Sequence, residues 1–369
     1  MSEEHYRQQT LYQTGGSAVA DAFHNQSLYC RTNDALITAR IVEGVRDLLA
    51  SDAPGELLAR VRGWSGAPLA DALPLRVAGG LHAIHLKGEE PALSAIYRGG
   101  MADVAAVLGD VVARRDAELL PWLDGPPQTN EAGRSSNFIL AMLWLAERGL
   151  GPRFECLEIG SSAGINLMID RYRYDLGGVE VGPADAALTF KPEWRGPPPP
   201  DRHIEFASLK GCDVAPVDLT DPEQAVRLKA YIWPEHHVRF ARMDLAIAAA
   251  SERKPDIVRM NAAEFVEQAL AAPQAAGTTR VLMHSIVWQY VPVEQQTRVS
   301  AAMEAAGERA TPERPLAWIA LEANRTVHYH ELTVRYWPGG ERRLQLGVAH
   351  AHGAWLEYFA EPLPSAWPG

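Results

Sequence analysis

The stretch Phe154–Asp170, Phe-Glu-Cys-Leu-Glu-Ile-Gly-Ser-Ser-Ala-Gly-Ile-Asn-Leu-Met-Ile-Asp, constrains this chain more than any other. An apolar run turns on small residues and resumes as an apolar run with helical spacing. That is how a buried strand reads when it passes through a tight turn into a helix. Glu158 stands two residues before Gly160, and Gly164 closes the turn. Small residues let a ligand approach the backbone, and a helix start offers free N–H groups. In an open α/β sheet, ligands bind beyond the carboxyl ends of the strands, and this turn is such a place.

The chain before the turn reads as helical. Leu36, Ile37, Ile41, Val42, Val45, Leu48 and Leu49 form a helical stripe over Ala35–Leu49. Met101–Leu120 is a second amphipathic segment, and Pro121–Pro127 is too rich in Pro and Gly to continue it. The expected organisation is therefore an α-helical N-terminal domain over 1–125 and an α/β domain over 126–369. Beyond the turn, Gly177-Gly178 signals a hairpin, Ile204–Leu209 a strand, and Asp221-Pro222 the start of a helix that Trp233-Pro234 ends. Strands and helices then alternate: Asp256–Met260, Ala262–Ala271, Arg280–Val287, Val293–Ala306 and Leu316–Leu321. Such alternation predicts a parallel sheet with helices on both faces. A hairpin around Pro338-Gly-Gly340 makes the sheet mixed at one edge, and His350–Phe359 adds a last strand or helix.

Composition excludes several classes. With 47% apolar and 22% charged residues, the chain can bury a core. A net charge of -11 disfavours a broad nucleic-acid footprint. Cys30, Cys156 and Cys212 are far apart and form no CxxC pair. The first residues carry no apolar signal region, and no run approaches the length of a membrane span. The expectation is a cytoplasmic protein acting on a small molecule, with no membrane and no nucleic-acid partner.

Two chemistries compete for the turn. Glu158-x-Gly160-x-x-x-Gly164 is the acidic-plus-glycine pattern of many S-adenosylmethionine (SAM) methyltransferases. The acid meets the amino terminus of the methionine part, and the backbone of Gly160, Ser161, Ser162, Ala163 and Gly164 accepts the rest. SAM has no diphosphate, so a carboxylate is tolerated there. Asp213, at the end of the next strand, is the candidate for the ribose hydroxyls, and Asn261, after the third, for adenine. Alternatively, Gly160-Ser-Ser-Ala-Gly164 matches G-x-S-x-G, with Ser162 as the nucleophile of a serine hydrolase. Glu322 with His350 or His352 would complete its chain order. Glu158 weighs against this, because a carboxylate beside the nucleophile opposes a developing oxyanion. A third possibility is a turn whose small residues serve packing alone.

Several motifs together identify a family. Gln128-Thr-Asn-Glu131 with Arg134, Leu157–Leu167, Asp170-Arg-Tyr-Arg-Tyr-Asp175, Gly211-x-Asp213-x-x-Pro216-Val-Asp218, Trp233-Pro234, His284-Ser-Ile-Val-Trp-Gln-Tyr290 and His352-Gly353-x-Trp355 resemble DUF2332, a bacterial family of unknown function. The resemblance implies a fold similar to the SAM-dependent methyltransferases (a Rossmann-like mixed sheet) behind a helical N-terminal domain. It assigns no activity. The 49 residues from Gly164 to Asp213 exceed the usual spacing of about 20. An insertion around 171–203, carrying Tyr172 and Tyr174, accounts for the excess and is expected over the mouth of the site.

Other side chains complete the expectation. His284 ends the fourth strand, either as a general base or as a packed histidine. Trp288 walls a pocket or belongs to the core. Asn130, Glu131 and Arg134 form a loop over the cofactor, with Glu131 as a second candidate base, or simply start a helix capped by Thr129 or Asn130. His328-x-His330 and His350-x-His352 lack the companions of a metal motif, and no P-loop is present, so no metal is expected. The leading expectation is a SAM-dependent methyltransferase, with a serine hydrolase and a non-catalytic nucleoside-binding protein as alternatives.

Overall fold

A computed structural model describes residues 17–128, 130–324 and 329–365. Helices α1 (Ala18–Thr32), α2 (Leu36–Ala50), α3 (Glu56–Arg62), α4 (Leu73–Lys87), α5 (Pro91–Tyr97) and α6 (Val104–Leu119) come first. Helix α7 (Ser135–Glu147) leads into β1 (Arg153–Ile159), followed by β2 (Arg173–Leu176), β3 (Val179–Val181), β4 (Thr189–Phe190), β5 (Glu193–Arg195) and β6 (Glu205–Asp213). Then come α8 (Pro222–Lys229), α9 (His237–Glu252), β7 (Asp256–Arg259), α10 (Ala262–Ala271), β8 (Thr279–Ser285) and α11 (Val293–Gly307). Strands β9 (Leu316–Asn324), β10 (Tyr329–Trp337), β11 (Gly340–Ala349) and β12 (Trp355–Pro364) close the chain.

The chain divides into two compact units. The first comprises the chain through Thr129 together with Asp221–Ala241, and the second holds Asn130–Thr220 and Arg242–Gly369. The segment Asp221–Ala241, placed by its sequence pattern in the α/β domain, thus joins the helical unit. Its attachments are specific. Helix α2 has no side-chain cap from its own N-cap residue, Ala35. Glu235 supplies one from far along the chain, its Oε1 accepting from the N–H of Ile37 (2.6 Å) and Thr38 (3.0 Å). A carboxylate at a helix N-terminus satisfies otherwise unpaired donors and complements the helix dipole. His82, on α4, donates from Nδ1 to the Ala230 carbonyl at 3.0 Å. The core of this unit gathers Phe23, Ile41, Val45, Leu57, Leu81 and Ile96, the helical stripes of the sequence facing inward.

The second unit is a mixed α/β structure. Its large sheet has the order β5-β12-β11-β10-β9-β8-β1-β6-β7. Strands β7, β6, β1, β8 and β9 run parallel, and β10, β11 and β12 continue as an antiparallel meander. Strand order reverses between β1 and β8: the chain steps from β1 outward through β6 to β7, then returns to the other side of β1 with β8. Alternation of side chains sorts the two faces. Leu157, Ile159, Leu282 and Trp318 share a core with Val266 of α10 and with Val299 and Met303 of α11. Tyr336 pairs with Ala317 and so faces opposite to Trp318, where it meets Trp144 of α7 edge-on at 5.8 Å. Helices therefore cover both faces, as the alternating pattern predicts.

The hairpin expected at Gly177-Gly178 is the β2–β3 pair, part of a small separate sheet with β4. The strand expected over Ile204–Leu209 runs on to Asp213, and His350–Phe359 resolves into a turn followed by β12. One expectation fails at the centre. No α-helix follows Gly164; the chain makes a seven-residue 3-10 segment, Ile165–Arg171, interrupted at Met168. The Tyr172 hydroxyl donates to the Ile165 carbonyl at 3.0 Å, taking an oxygen that a regular α-helix would give to a backbone N–H. Among the described residues, no helix is long and apolar enough to cross a membrane.

Candidate functional site

The site is built at the carboxyl end of β1, beside the reversal of strand order. Glu158 lies between Gly211 of β6 and Met283 of β8 in the sheet register, with 2% of its surface exposed. Its Oε1 accepts from Asn166 Nδ2 at 2.8 Å, and its Oε2 has no partner among the described residues. Burial pushes the Glu158 carboxyl up to about 7 against the lowering effect of its hydrogen bonds; the nearby Asp213 charge adds to the rise and Arg134 opposes it. Ser161 Oγ donates to the Glu158 carbonyl at 3.0 Å, and Asn130 Nδ2 reaches the Ser161 carbonyl at 3.4 Å.

Unpartnered buried atoms concentrate here. Asn130 Oδ1, Ser162 Oγ and Asn166 Oδ1 join Glu158 Oε2 in having no partner among the described residues. Native interiors leave few such groups, so a cluster of them marks a place that expects something else. The two amide orientations are not arbitrary. Asn130 and Asn166 each offer nitrogen to an oxygen acceptor, which leaves their oxygens as the open ends. The open set is rich in acceptors.

The glycines of the turn serve close packing. A Cβ at Gly160 would fall 2.9 Å from Val287 Cβ and nearer still to its Cγ2. One at Gly164 would meet Pro255 Cβ at 2.5 Å and Ile257 Cδ1 at 2.8 Å. Both glycines have positive φ, 67° and 69°. Between them Ser162 also has a positive φ, 52°, which is uncommon for a residue with a side chain. Its N–H donates to Asp213 Oδ2 at 2.8 Å, while Asp213 Oδ1 accepts from Ala215 N–H at 2.8 Å. Asp213 thus holds the turn in shape from the end of β6. Ala163, also in the turn, is buried.

The remaining candidates divide sharply. Glu131 is buried and accepts from Gly133 N–H at 3.2 Å, with Arg242 at 3.9 Å. Arg134 is buried and donates to the Ala351 carbonyl at 2.8 Å. The segment Asn130–Arg134 therefore comes together with the β1 turn, through Asn130. Tyr172 does not line a mouth: it is 1% exposed and holds the 3-10 segment in place. Tyr174 likewise donates to Ser135 Oγ at 2.9 Å. Asn261 caps α10, its side chain accepting from Glu264 N–H at 3.0 Å. The pattern Asn261-x-x-Glu264 is a readable cap signal.

His284 lies on the opposite face of the sheet from Glu158, since Leu282 and His284 alternate onto the α10–α11 side. Trp318 Nε1–H donates to His284 Nε2 at 3.0 Å, which makes that nitrogen an acceptor and puts the proton on Nδ1. Nδ1–H then donates to Glu322 Oε1 at 2.6 Å. With both nitrogens committed and the ring wholly buried, His284 has no site from which to take a substrate proton. Trp288 stacks on it at 5.2 Å and belongs to the core. Glu322 Oε1 also accepts from the N–H groups of Val287 (3.1 Å) and Trp288 (3.2 Å). His352 N–H donates to His350 Nδ1 at 3.2 Å, and His328 and Thr129 lie outside the described residues. Among the described residues, no cluster of ligating side chains could hold a metal ion.

A family model matches residues 20–358, nearly the whole chain. The chain belongs to the DUF2332 family. The family is described as uncharacterized proteins conserved in bacteria. No curated protein and no solved structure matches the chain.

Proposed function

We propose that this DUF2332 protein binds S-adenosylmethionine at the carboxyl end of β1 and transfers its methyl group to a small molecule. The order β7-β6-β1-β8-β9 of the parallel strands supports the reading, being the 3-2-1-4-5 arrangement of doubly wound nucleotide-binding sheets. In that arrangement the ligand lies at the switch point, here between β1 and β8.

The observation that carries the reading is the buried set of open acceptors: Glu158 Oε2, Asn130 Oδ1 and Asn166 Oδ1. A phosphate or carboxylate would meet oxygen with oxygen there. The ammonium group of an amino-acid moiety supplies the missing donors, and a positive charge draws the Glu158 proton away. Asp213 keeps acceptor capacity toward ribose hydroxyls while holding Ser162. When bound, the cofactor supplies an electrophilic methyl group. The protein's part is positioning, together with proton removal from the acceptor where needed. Glu131 is the side chain for that removal, since His284 is locked.

Titration calorimetry with SAM and its demethylated product tests this directly. Heat of binding that disappears in Glu158→Ala is the expected result; no binding at millimolar ligand sinks the reading. A serine hydrolase is the second reading, favoured by the left-handed backbone and open hydroxyl of Ser162. No histidine contacts that hydroxyl among the described residues. Labelling of Ser162 by a fluorophosphonate would decide for the hydrolase. Tight binding of SAM without transfer to any acceptor would point to a non-catalytic nucleoside-binding protein.

A further inference from the structure

The crevice of a doubly wound sheet opens between the loops that leave the two strands flanking the switch point. Here those loops touch. Val287, in the loop after β8, fills the space a side chain at Gly160 would occupy. The loop is held in an unfavourable conformation. Ile286 has φ 53°, a true outlier for a β-branched residue, and its N–H donates to the Leu321 carbonyl at 2.9 Å. Such residues persist only where their surroundings over-determine them, and they gather at clamps and switches. The over-determining group is Glu322, 5% exposed at the end of β9. One of its oxygens takes three donors at once, from His284, Val287 and Trp288.

We infer that Ile286–Trp288 is a latch across the β1–β8 crevice, with Glu322 as its catch, and that a ligand engages the glycine turn when Val287 leaves Gly160. The inference rests on the cofactor-site reading above for the identity of that ligand, but the latch stands on its own geometry. His284 is a positioning residue in this device: pinned by Trp318, it holds the Glu322 carboxylate where the loop amides reach it. A latched crevice lowers apparent affinity by the fraction of molecules in which it is open.

Hydrogen exchange and calorimetry test the two parts separately. In Glu322→Ala, the Val287 and Trp288 amides should exchange about tenfold faster than in the wild type. Glu322→Gln should restore near-native protection, because a single oxygen accepts all three bonds. Equal exchange in all three proteins, or no rescue by glutamine, overturns the latch. Val287→Ala keeps the catch and, being a mild truncation, guards against failure of the alanine variant to fold. It should bind S-adenosylhomocysteine about tenfold more tightly than the wild type. Unchanged or weaker binding shows that Val287 does not bar the site. If no protein binds this probe while Glu322→Ala still exchanges faster, the cofactor reading falls and the latch remains.

Discussion

Replacing Glu158 by glutamine isolates the feature on which the candidate site turns. Glutamine keeps the acceptor that Asn166 uses and removes the ionisation. In the wild type, burial pushes this carboxyl from its ordinary 4.5 to about 7. At roughly 1.4 kcal/mol per pH unit, that rise corresponds to about 3 kcal/mol between the two protonation states. Between 4.5 and 7 the folded state holds a proton that the unfolded state has released, so wild-type stability falls as pH rises through this range. Below it both states are protonated and the contribution is fully present; above it the loss is complete. Glu158→Gln should therefore gain on the wild type by up to about 3 kcal/mol as pH is raised from about 4.5 to about 8. Urea unfolding of both proteins across that range measures the difference, in which titrating groups not coupled to Glu158 cancel. The chain has two units, so the transition of the second unit must be followed, for example through amide exchange in β1. A difference constant with pH, or one growing toward acid, would refute an elevated Glu158 and with it the desolvation of this carboxyl.

Other perturbations have definite outcomes. Gly160→Ala adds a Cβ against Val287 at positive φ and should cost about 2 kcal/mol or more in thermal or urea unfolding; adding Val287→Gly should recover the packing part and leave about 1 kcal/mol of backbone strain. Ser162→Gly relieves a left-handed serine and should raise stability by about 1 kcal/mol, and a loss instead would mean that the Ser162 side chain carries an interaction. Burial lowers His82 from 6.5 to about 4 against its bond to the Ala230 carbonyl, so the helical unit should lose stability as pH falls from the first value through the second. His82→Gln should flatten that acid limb in circular dichroism, and an unchanged limb would assign it to other groups.

The elements were legible because their signals are local. Local periodicity placed α10 and α11 to within a residue and located β8 and β9 with ends two or three residues off, and Glu158-x-Gly160 marked the turn that the sheet order puts at its switch point. The pairings across the sheet were not legible. His284 meets Glu322 and Trp318 only because β8 and β9 align in one register, and nothing in the local sequence of any of the three states that register. The apolar run after Gly164 read as a helix, whereas the 3-10 segment turns Asn166 back on Glu158. Val287 read as the end of a strand, whereas its methyls decide what Gly160 can accept. Asn261 was readable as a cap from Glu264, but its place after a strand suggested a ligand. The helix start at Asp221-Pro222 was equally plain, yet a helix pattern does not say which core its apolar face joins.

That last point bears on how the protein is made. The helical unit needs Glu235 to finish α2 and Ala230 to receive His82. A ribosome that has emitted only the leading helices has therefore not yet supplied either partner. The unit can collapse early but closes its contacts only after β1 and β6, which belong to the other unit, have been synthesised. Folding should therefore be interleaved rather than sequential, and such long-range closure should slow it. A fragment cut at 125, where the sequence places its best boundary, should express as a helical but loosely packed chain. Co-expression of 221–241 as a separate peptide should tighten it.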